Sequence, residues 1–350
     1  MPLPTSTKTL ILANKPTGKI VLDGPNPTFT LEEKPLPELQ DGQVLTELLY
    51  LSNDPAQRGW IDANQDPARL YVPPVNKGEP MRSGGIYKVL ASKNASFPEG
   101  SVVRGWGGWS QYQVMSPTTN GLQPCEEIPG VSVTHYLGAL GGTGMTAYSG
   151  LVFVGEATKD DVVVVSGAAG ATGSMVVQIA KHLVGCKKVI GLAGTDEKCR
   201  WVESLGADVC INYKKDWKTQ LTAATEGLAN VYFDNVGGEQ LDFMLTRLAR
   251  HGRVVACGAI ADYNAEEKYG IKNWFDVITM RLQIKGFIVF DFAKEHPEIT
   301  RKLIQGVKDG KIKISDENET VVDTKFEDVP KTWVKLFEGG NKGKLVTRLV

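Results

Sequence analysis

The stretch that most restricts what this chain can become is Ser166-Gly167-Ala168-Ala169-Gly170-Ala171-Thr172-Gly173, with glycines every third residue between two runs of opposite texture. Before it, Val162, Val163, Val164 and Val165 make a β-branched run suited to a short buried strand. After it, Met175, Val176, Ile179, Ala180 and Leu183 share one face of a helix predicted over residues 174–183. A second strand, predicted over 188–192, follows at the distance expected of a β-α-β unit. In such a unit the first glycine permits the turn and the second lets the backbone approach a pyrophosphate. The third lets the helix pack closely on its strand. The pyrophosphate then rests on unpaired N–H groups at the start of the helix. A glycine triplet alone is an ordinary tight turn, but a strand before it and a helix after it make it a dinucleotide site. Gly167, Ala169, Gly170, Ala171, Thr172 and Gly173 are therefore candidate cofactor-binding residues.

The rest of the chain sorts around this unit. Upstream, predicted strands at 9–13, 29–33, 42–51, 81–90, 100–109 and 110–115 are separated by glycine and proline turns, with no long helix among them. That texture predicts a β-rich, partly closed barrel. From about residue 131 helical pieces appear, at 135–140 and 149–154. Beyond the glycine turn, strands predicted at 188–192, 209–212, 231–234, 253–257 and 283–290 alternate with helices such as 197–205 and 238–249. Such alternation is the mark of a doubly wound parallel sheet. A last long helix is predicted at 297–309, and 311–350 returns to short strands with one helix near 329–338. The expected division is a barrel domain of residues 1–138 and 314–350 around a nucleotide domain of 139–313.

With 42% hydrophobic and 23% charged residues the composition is that of a globular enzyme. A net charge of −1 gives no reason to expect a nucleic acid or an anionic membrane as partner. No apolar run approaches the roughly 18 residues of a membrane span, and the N-terminus lacks a signal-peptide core. A cytoplasmic location is expected. The five cysteines form no C-x-x-C pair, the first 124 residues hold no cysteine, and the first 134 hold no histidine. A catalytic zinc site needs three such ligands close together, so no metal is expected.

The end of the second strand discriminates between coenzymes. An acid there bonds the ribose hydroxyl of NAD, but this chain has Ala193 and Gly194 at that place. Asp196 and Glu197 follow a little later, accompanied by Lys198 and Arg200, which could neutralise a 2′-phosphate. Lys198 reads equally well as a solvated lysine of a first helical turn. The missing acid and the added cations together point to NADPH.

Taken together, the chain resembles the zinc-free medium-chain reductases, within them the group of leukotriene B4 dehydrogenase, prostaglandin reductase and plant alkenal double-bond reductase. The resemblance runs over essentially the whole chain. Its marks are Asp54-Pro55 with Arg58, Gly144-Met145-Thr146-Ala147-Tyr148, the glycine turn, Asp196-Glu197-Lys198 and Asn212-Tyr213-Lys214. Further on stand Phe233-Asp234-Asn235-Val236-Gly237-Gly238, Cys257-Gly258-Ala259-Ile260 with Tyr263-Asn264, and Asn341-Lys342-Gly343-Lys344. The resemblance implies an α/β chain with a GroES-like barrel domain and a Rossmann domain. It implies that Lys198 and Tyr213, beside Gly194, hold the 2′-phosphate, and that Asn235 lies near the cofactor ribose. Cys257, Gly258, Ile260, Phe287, Ile288 and Val289 would run beside the nicotinamide, and Asn341 would also touch the cofactor. Tyr263, with Asn53, Ala56 and Tyr71, would line the substrate cleft. The chain departs from the pattern in two places. Ala56-Gln57 stands where relatives carry Tyr-Met, and Ser83-Gly84-Gly85 stands where plant members place a tyrosine between two glycines.

The implied reaction is reduction of the C=C bond of an α,β-unsaturated aldehyde or ketone, an oxidoreductase acting on CH–CH groups. Hydride reaches the β carbon, charge collects on the carbonyl oxygen, and a donor there lowers the barrier. Tyr263 and the cofactor ribose hydroxyl are the candidate donors; Tyr263 reads equally as a wall of the cleft. Quinone reduction, carbonyl reduction and NADPH binding without turnover are the alternatives. Relatives imply a homodimer through sheet edges, with 287–290 either an edge or an interior strand.

Overall fold

The computed structural model describes residues 2–350, which form two compact units. One unit runs to Leu137 and takes back Thr320–Gly340 and Leu345–Val350; the other comprises Gly138–Glu319 and Asn341–Lys344.

In the first unit the strands are short and heavily punctuated. They are β1 (Ser6–Leu12), β2 (Phe29–Pro35), β3 (Val44–Ser52), β4 (Arg82–Ser92), β5 (Val102–Gly108), β6 (Tyr112–Met115) and β7 (Gln123–Pro124). The second unit supplies β8 (Val162–Val165), β9 (Lys188–Ala193), β10 (Val209–Asn212), β11 (Ala229–Asp234), β12 (Leu248–Ala256) and β13 (Gln283–Gly286). The chain then returns through β14 (Glu319–Thr324) and β15 (Lys344–Leu349).

The first unit's main sheet has the order β14-β15-β3-β4-β5-β7, with β6 also paired to β3. Along one edge of β3, the first half pairs with β6 and the last residues pair with β15. One strand serving two partners on the same edge curls the sheet toward closure. β1 completes the curl: Leu10 donates its N–H to Trp109 O and accepts from Met81 N–H. Inside, Trp109 lies 5.1 Å from Phe29 and 5.8 Å from Trp333, ring centre to ring centre. Trp333 comes from the helix Val329–Glu338, whose Val329, Trp333 and Leu336 face inward at helical spacing.

The second unit is a six-stranded parallel sheet of order β10-β9-β8-β11-β12-β13. Its central strands are apolar along their buried middles, with Val163, Val164, Val165, Val189, Ile190, Val231, Phe233, Val254 and Val255 fully buried, as a sheet covered on both faces requires. Among the described residues no helix is long and apolar enough to cross a membrane.

Three local expectations are corrected. The helix after the glycine turn begins at Ala171, not residue 174, and continues past Gln178 as a wider π-helical turn through Val184. The helix Gly238–Leu245 stops early, where Thr246 turns its hydroxyl onto Phe243 O and Arg247 reaches Thr225, so β12 starts at Leu248. The last parallel strand ends at Gly286, and 287–290 is neither an edge nor an interior strand. Phe287 turns onto Phe233 at 6.5 Å and Phe292 at 6.3 Å, and Phe292 stacks on Phe153, so aromatic packing draws the chain into the short helix Val289–Phe292. At the C-terminal side the second unit reaches Glu319 and recovers Asn341–Lys344. Paired bonds between Gln178 and Lys313, and one from Gly343 N–H to Ala169 O, fasten those segments to it.

Candidate active site

The strand order reverses between β8 and β11: from β8 the chain steps outward to β9 and β10, from β11 to β12 and β13. Loops leaving the carboxyl ends of β8 and β11 therefore diverge, and a crevice opens between them. Each cofactor residue named from sequence in this unit, apart from Asn341, lies within a few positions of such an end. Gly167, Ala169, Gly170, Ala171, Thr172 and Gly173 follow β8, Gly194 follows β9, Tyr213 follows β10, and Asn235 follows β11. Cys257, Gly258 and Ile260 follow β12, and Phe287, Ile288 and Val289 follow β13.

The glycine turn is sterically committed. Gly167 has φ +56°, and a Cβ at Gly173 would sit 2.3 Å from Gly167 O and 2.8 Å from Ala168 Cα. Gly170 caps the helix Ala171–Gln178 without a side-chain bond, so no oxygen of the cap competes for the first N–H groups. Backbone amides at that end suit a diphosphate. Asn341 is brought to the same place: Gly343 donates to Ala169 O at 2.9 Å, and Asn341 Nδ2 donates to Gly343 O.

Across the crevice Asp234 organises the floor. Its Oδ1 accepts from Ser166 Oγ at 2.8 Å, Tyr232 Oη at 2.9 Å, and the N–H groups of Val236 and Gly237 at 3.0 Å each. Burial raises its pKa against the lowering effect of those donors. Asn235 donates from Nδ2 to Ser166 O at 2.7 Å, which closes the two strand ends on each other. Sequence reasoning missed Asp234; an acid ending an otherwise apolar strand just before a glycine pair was the available signal.

The end of β9 is crowded by Tyr213. A Cβ on Gly194 would lie 2.8 Å from Tyr213 Oη, and Tyr213 is fixed there by its N–H on Ala193 O. An acidic side chain at position 194 would have to displace that ring. The later acid is engaged elsewhere: Asp196 accepts from Asn212 Nδ2 at 2.8 Å and Lys215 Nζ at 2.6 Å, which together lower its pKa. Lys198 stands in the first turn of the helix Asp196–Ser204, its N–H capped by Thr195 Oγ1. Burial lowers its pKa, and the charge of Lys214 lowers it further. Two cations and a phenol beside a partly desolvated pocket fit a dianionic phosphate.

Beyond β12, Cys257 and Gly258 donate their N–H groups to Asp234 O, and Ile260 donates to Asn235 O. Tyr263 folds back so that its Oη accepts Ala259 N–H at 3.3 Å, close against Gly258. Burial, with the Asp234 charge, pushes the Cys257 thiol up to about 12, which disfavours its thiolate. Ile288 O and Val289 O accept from Asp291 N–H and His296 respectively.

The three residues named in the first unit have structural partners. Asn53 is buried, and its Nδ2 donates to Leu345 O and Thr347 Oγ1. Ala56 packs against the barrel core. Tyr71 is exposed and accepts from Trp60 Nε1 at 3.1 Å. Among the described residues no three His, Cys, Asp or Glu side chains converge as metal ligands. Those donors do not fit a zinc site.

Residues 8–123 match the family described as the N-terminal domain of oxidoreductase, and residues 171–306 match that described as zinc-binding dehydrogenase. The NADP(+)-dependent 2-alkenal reductase of Nicotiana tabacum is 36% identical, with 97% of each chain covered. The chain belongs to the medium-chain dehydrogenase/reductase family. It is an oxidoreductase of the zinc-independent group, so the name of its second matched region describes other branches of the family. An uncharacterized membrane protein of Saccharomyces cerevisiae is 36% identical over 98% of each chain. The crystal structure of CurA in complex with NADPH from Vibrio vulnificus has a TM-score of 0.86 at 32% identity, covering 98% of this reductase and 99% of that chain.

Proposed function

We propose that this reductase uses NADPH to saturate the C=C bond of α,β-unsaturated aldehydes and ketones. The observation that supports the reading is the convergence of Lys198 and Tyr213 beside Gly194, an arrangement suited to a 2′-phosphate, with Tyr263 on the loop beyond β12. The kinship with the tobacco 2-alkenal reductase supports the same reading. When bound, NADPH supplies hydride to the β carbon of the conjugated bond.

The chain does the rest. Backbone amides of the glycine turn hold the diphosphate, and Lys198 and Tyr213 hold the 2′-phosphate. Asn235 and the residues from Cys257 to Ile260 fix the wall along which the nicotinamide lies. Tyr263 donates a hydrogen bond to the carbonyl oxygen as negative charge collects there, its own oxygen held by the bond from Ala259 N–H, and a proton from Tyr263 or water then reaches the α carbon to complete the saturated product. Asn53, Ala56 and Tyr71 are the substrate-side residues proposed in the first unit. Ala56, being small, leaves room for a bulkier substituent than a tyrosine would.

The test is NADPH consumption against a panel of enals, aryl enones and quinones, with products identified. A saturated carbonyl is expected; an allylic alcohol, or turnover of quinones alone, contradicts the proposal. Tyr263→Phe is expected to lower kcat on an enone roughly tenfold with coenzyme affinity unchanged, and an unchanged kcat would reduce Tyr263 to a wall residue.

The enzyme is proposed to work in the cytosol as a homodimer. β13 is one edge of the parallel sheet, and Trp274, Phe275 and Ile278 are 55%, 71% and 62% exposed on the helix just before it. Such an apolar edge suits a second copy. Light scattering is expected to read two chains.

A further inference from the structure

The loop after the helix Val329–Glu338 carries a cation that none of the roles above uses. Its backbone is fixed: Gly343 forms a bridge with Gly170 and donates to Ala169 O, and Asn341 Nδ2 closes onto Gly343 O. Gly343 has φ +63°, and a Cβ there would fall 1.8 Å from Asn318 O, so only glycine fits this path of the loop. Residue 342 is thereby held beside the glycine turn. Its side chain reaches across to the next helix, where Lys342 Nζ lies 5.4 Å from the centre of the Trp201 ring. Trp201 is three residues after Lys198 in the helix Asp196–Ser204, so the two share one helical face.

Lys342 thus spans from the diphosphate turn to the helix of the 2′-phosphate pocket, in a region where Lys198 and Lys214 already concentrate positive charge. Lining up a third cation there is unfavourable for the bare chain and favourable once an anion arrives. The cation–π contact, worth about 0.5–1 kcal/mol at an exposed site, steers the ammonium along the helix instead of into solvent. We propose that Lys342 is a further binding residue for the coenzyme phosphates, acting with the glycine turn and Lys198. The inference rests on the coenzyme reading above and adds to it a residue on the returning C-terminal loop.

The test is direct binding, by coenzyme fluorescence or calorimetry, of NADPH and NADH to the wild-type chain, Lys342→Met and Lys342→Arg. Methionine keeps an apolar stem over Trp201 and removes the charge, so thermal stability without coenzyme serves as the folding control. Lys342→Met is expected to raise the Kd for NADPH about fivefold, the size of a half-exposed charge contact, and Lys342→Arg to restore it. An equal rise for NADH assigns the charge to the diphosphate, and a rise confined to NADPH assigns it to the 2′-phosphate; either supports the proposal. Wild-type binding of NADPH with an unchanged Kd in Lys342→Met overturns it while leaving the coenzyme reading standing. Failure of the wild-type chain to bind either coenzyme overturns that reading itself.

Discussion

In the parallel-sheet unit a residue's place in the chain tells its place in space; in the barrel unit it does not. Six strands run in one direction, so every loop that follows one emerges at the same edge, and residues scattered from Gly167 to Val289 meet there. In the barrel the strands alternate in direction and β3 shares one edge between β6 and β15, so counting residues past a strand gives no position. Asn53 is tied between the end of β3 and β15, and Tyr71 accepts the indole N–H of Trp60. Regular topology makes a site readable, whereas a curled antiparallel sheet leaves its wall to side-chain packing.

Substitutions can sharpen that contrast. The largest effect is expected from Gly173→Val. The new side chain has no space against Gly167 O and Ala168 Cα, so coenzyme binding should be lost and stability lowered by about 3 kcal/mol. Calorimetry and a thermal melt would read both, and a variant that still binds normally would mean that the turn is not the diphosphate site. Next comes Asp234→Ala, which strands two hydroxyls and two amide groups at the crevice floor. Chemical denaturation should show a loss of about 2–3 kcal/mol. A smaller loss, about 1–2 kcal/mol, is expected for Asn53→Ala, with NADPH affinity untouched because its bonds lie within the barrel unit. If Asn53→Ala instead weakened the coenzyme and spared stability, the division of labour between the units would be wrong.

The legible part of the fold was whatever repeats. Val162–Val165, the glycine triplet and the alternation beyond it lead to the parallel sheet, and the helix Val329–Glu338 is visible from its apolar spacing. What the sequence hid were contacts made by distant residues. The end of β13 depends on Phe287 finding Phe233 and Phe292, and no local pattern announces a ring that prefers a neighbour to its own strand. Asp234 was invisible as a hub because its donors come from Ser166, Tyr232 and two backbone amides, joined only by the sheet. Gly194 shows in the sequence only as the absence of an acid. Its positive reason, room for Tyr213, required the register of β9 against β10.

The claim on which the rest depends is that coenzyme phosphates settle at the carboxyl edge of the parallel sheet, the 2′-phosphate on Lys198. Titrating NADPH and NADH into the wild-type chain and Lys198→Ala tests it most directly. The account predicts that the wild-type chain prefers NADPH and that Lys198→Ala weakens NADPH by about 10–100-fold while leaving NADH nearly unchanged. Equal affinity for the two coenzymes in the wild-type chain, or an equal loss for both in the variant, would contradict it.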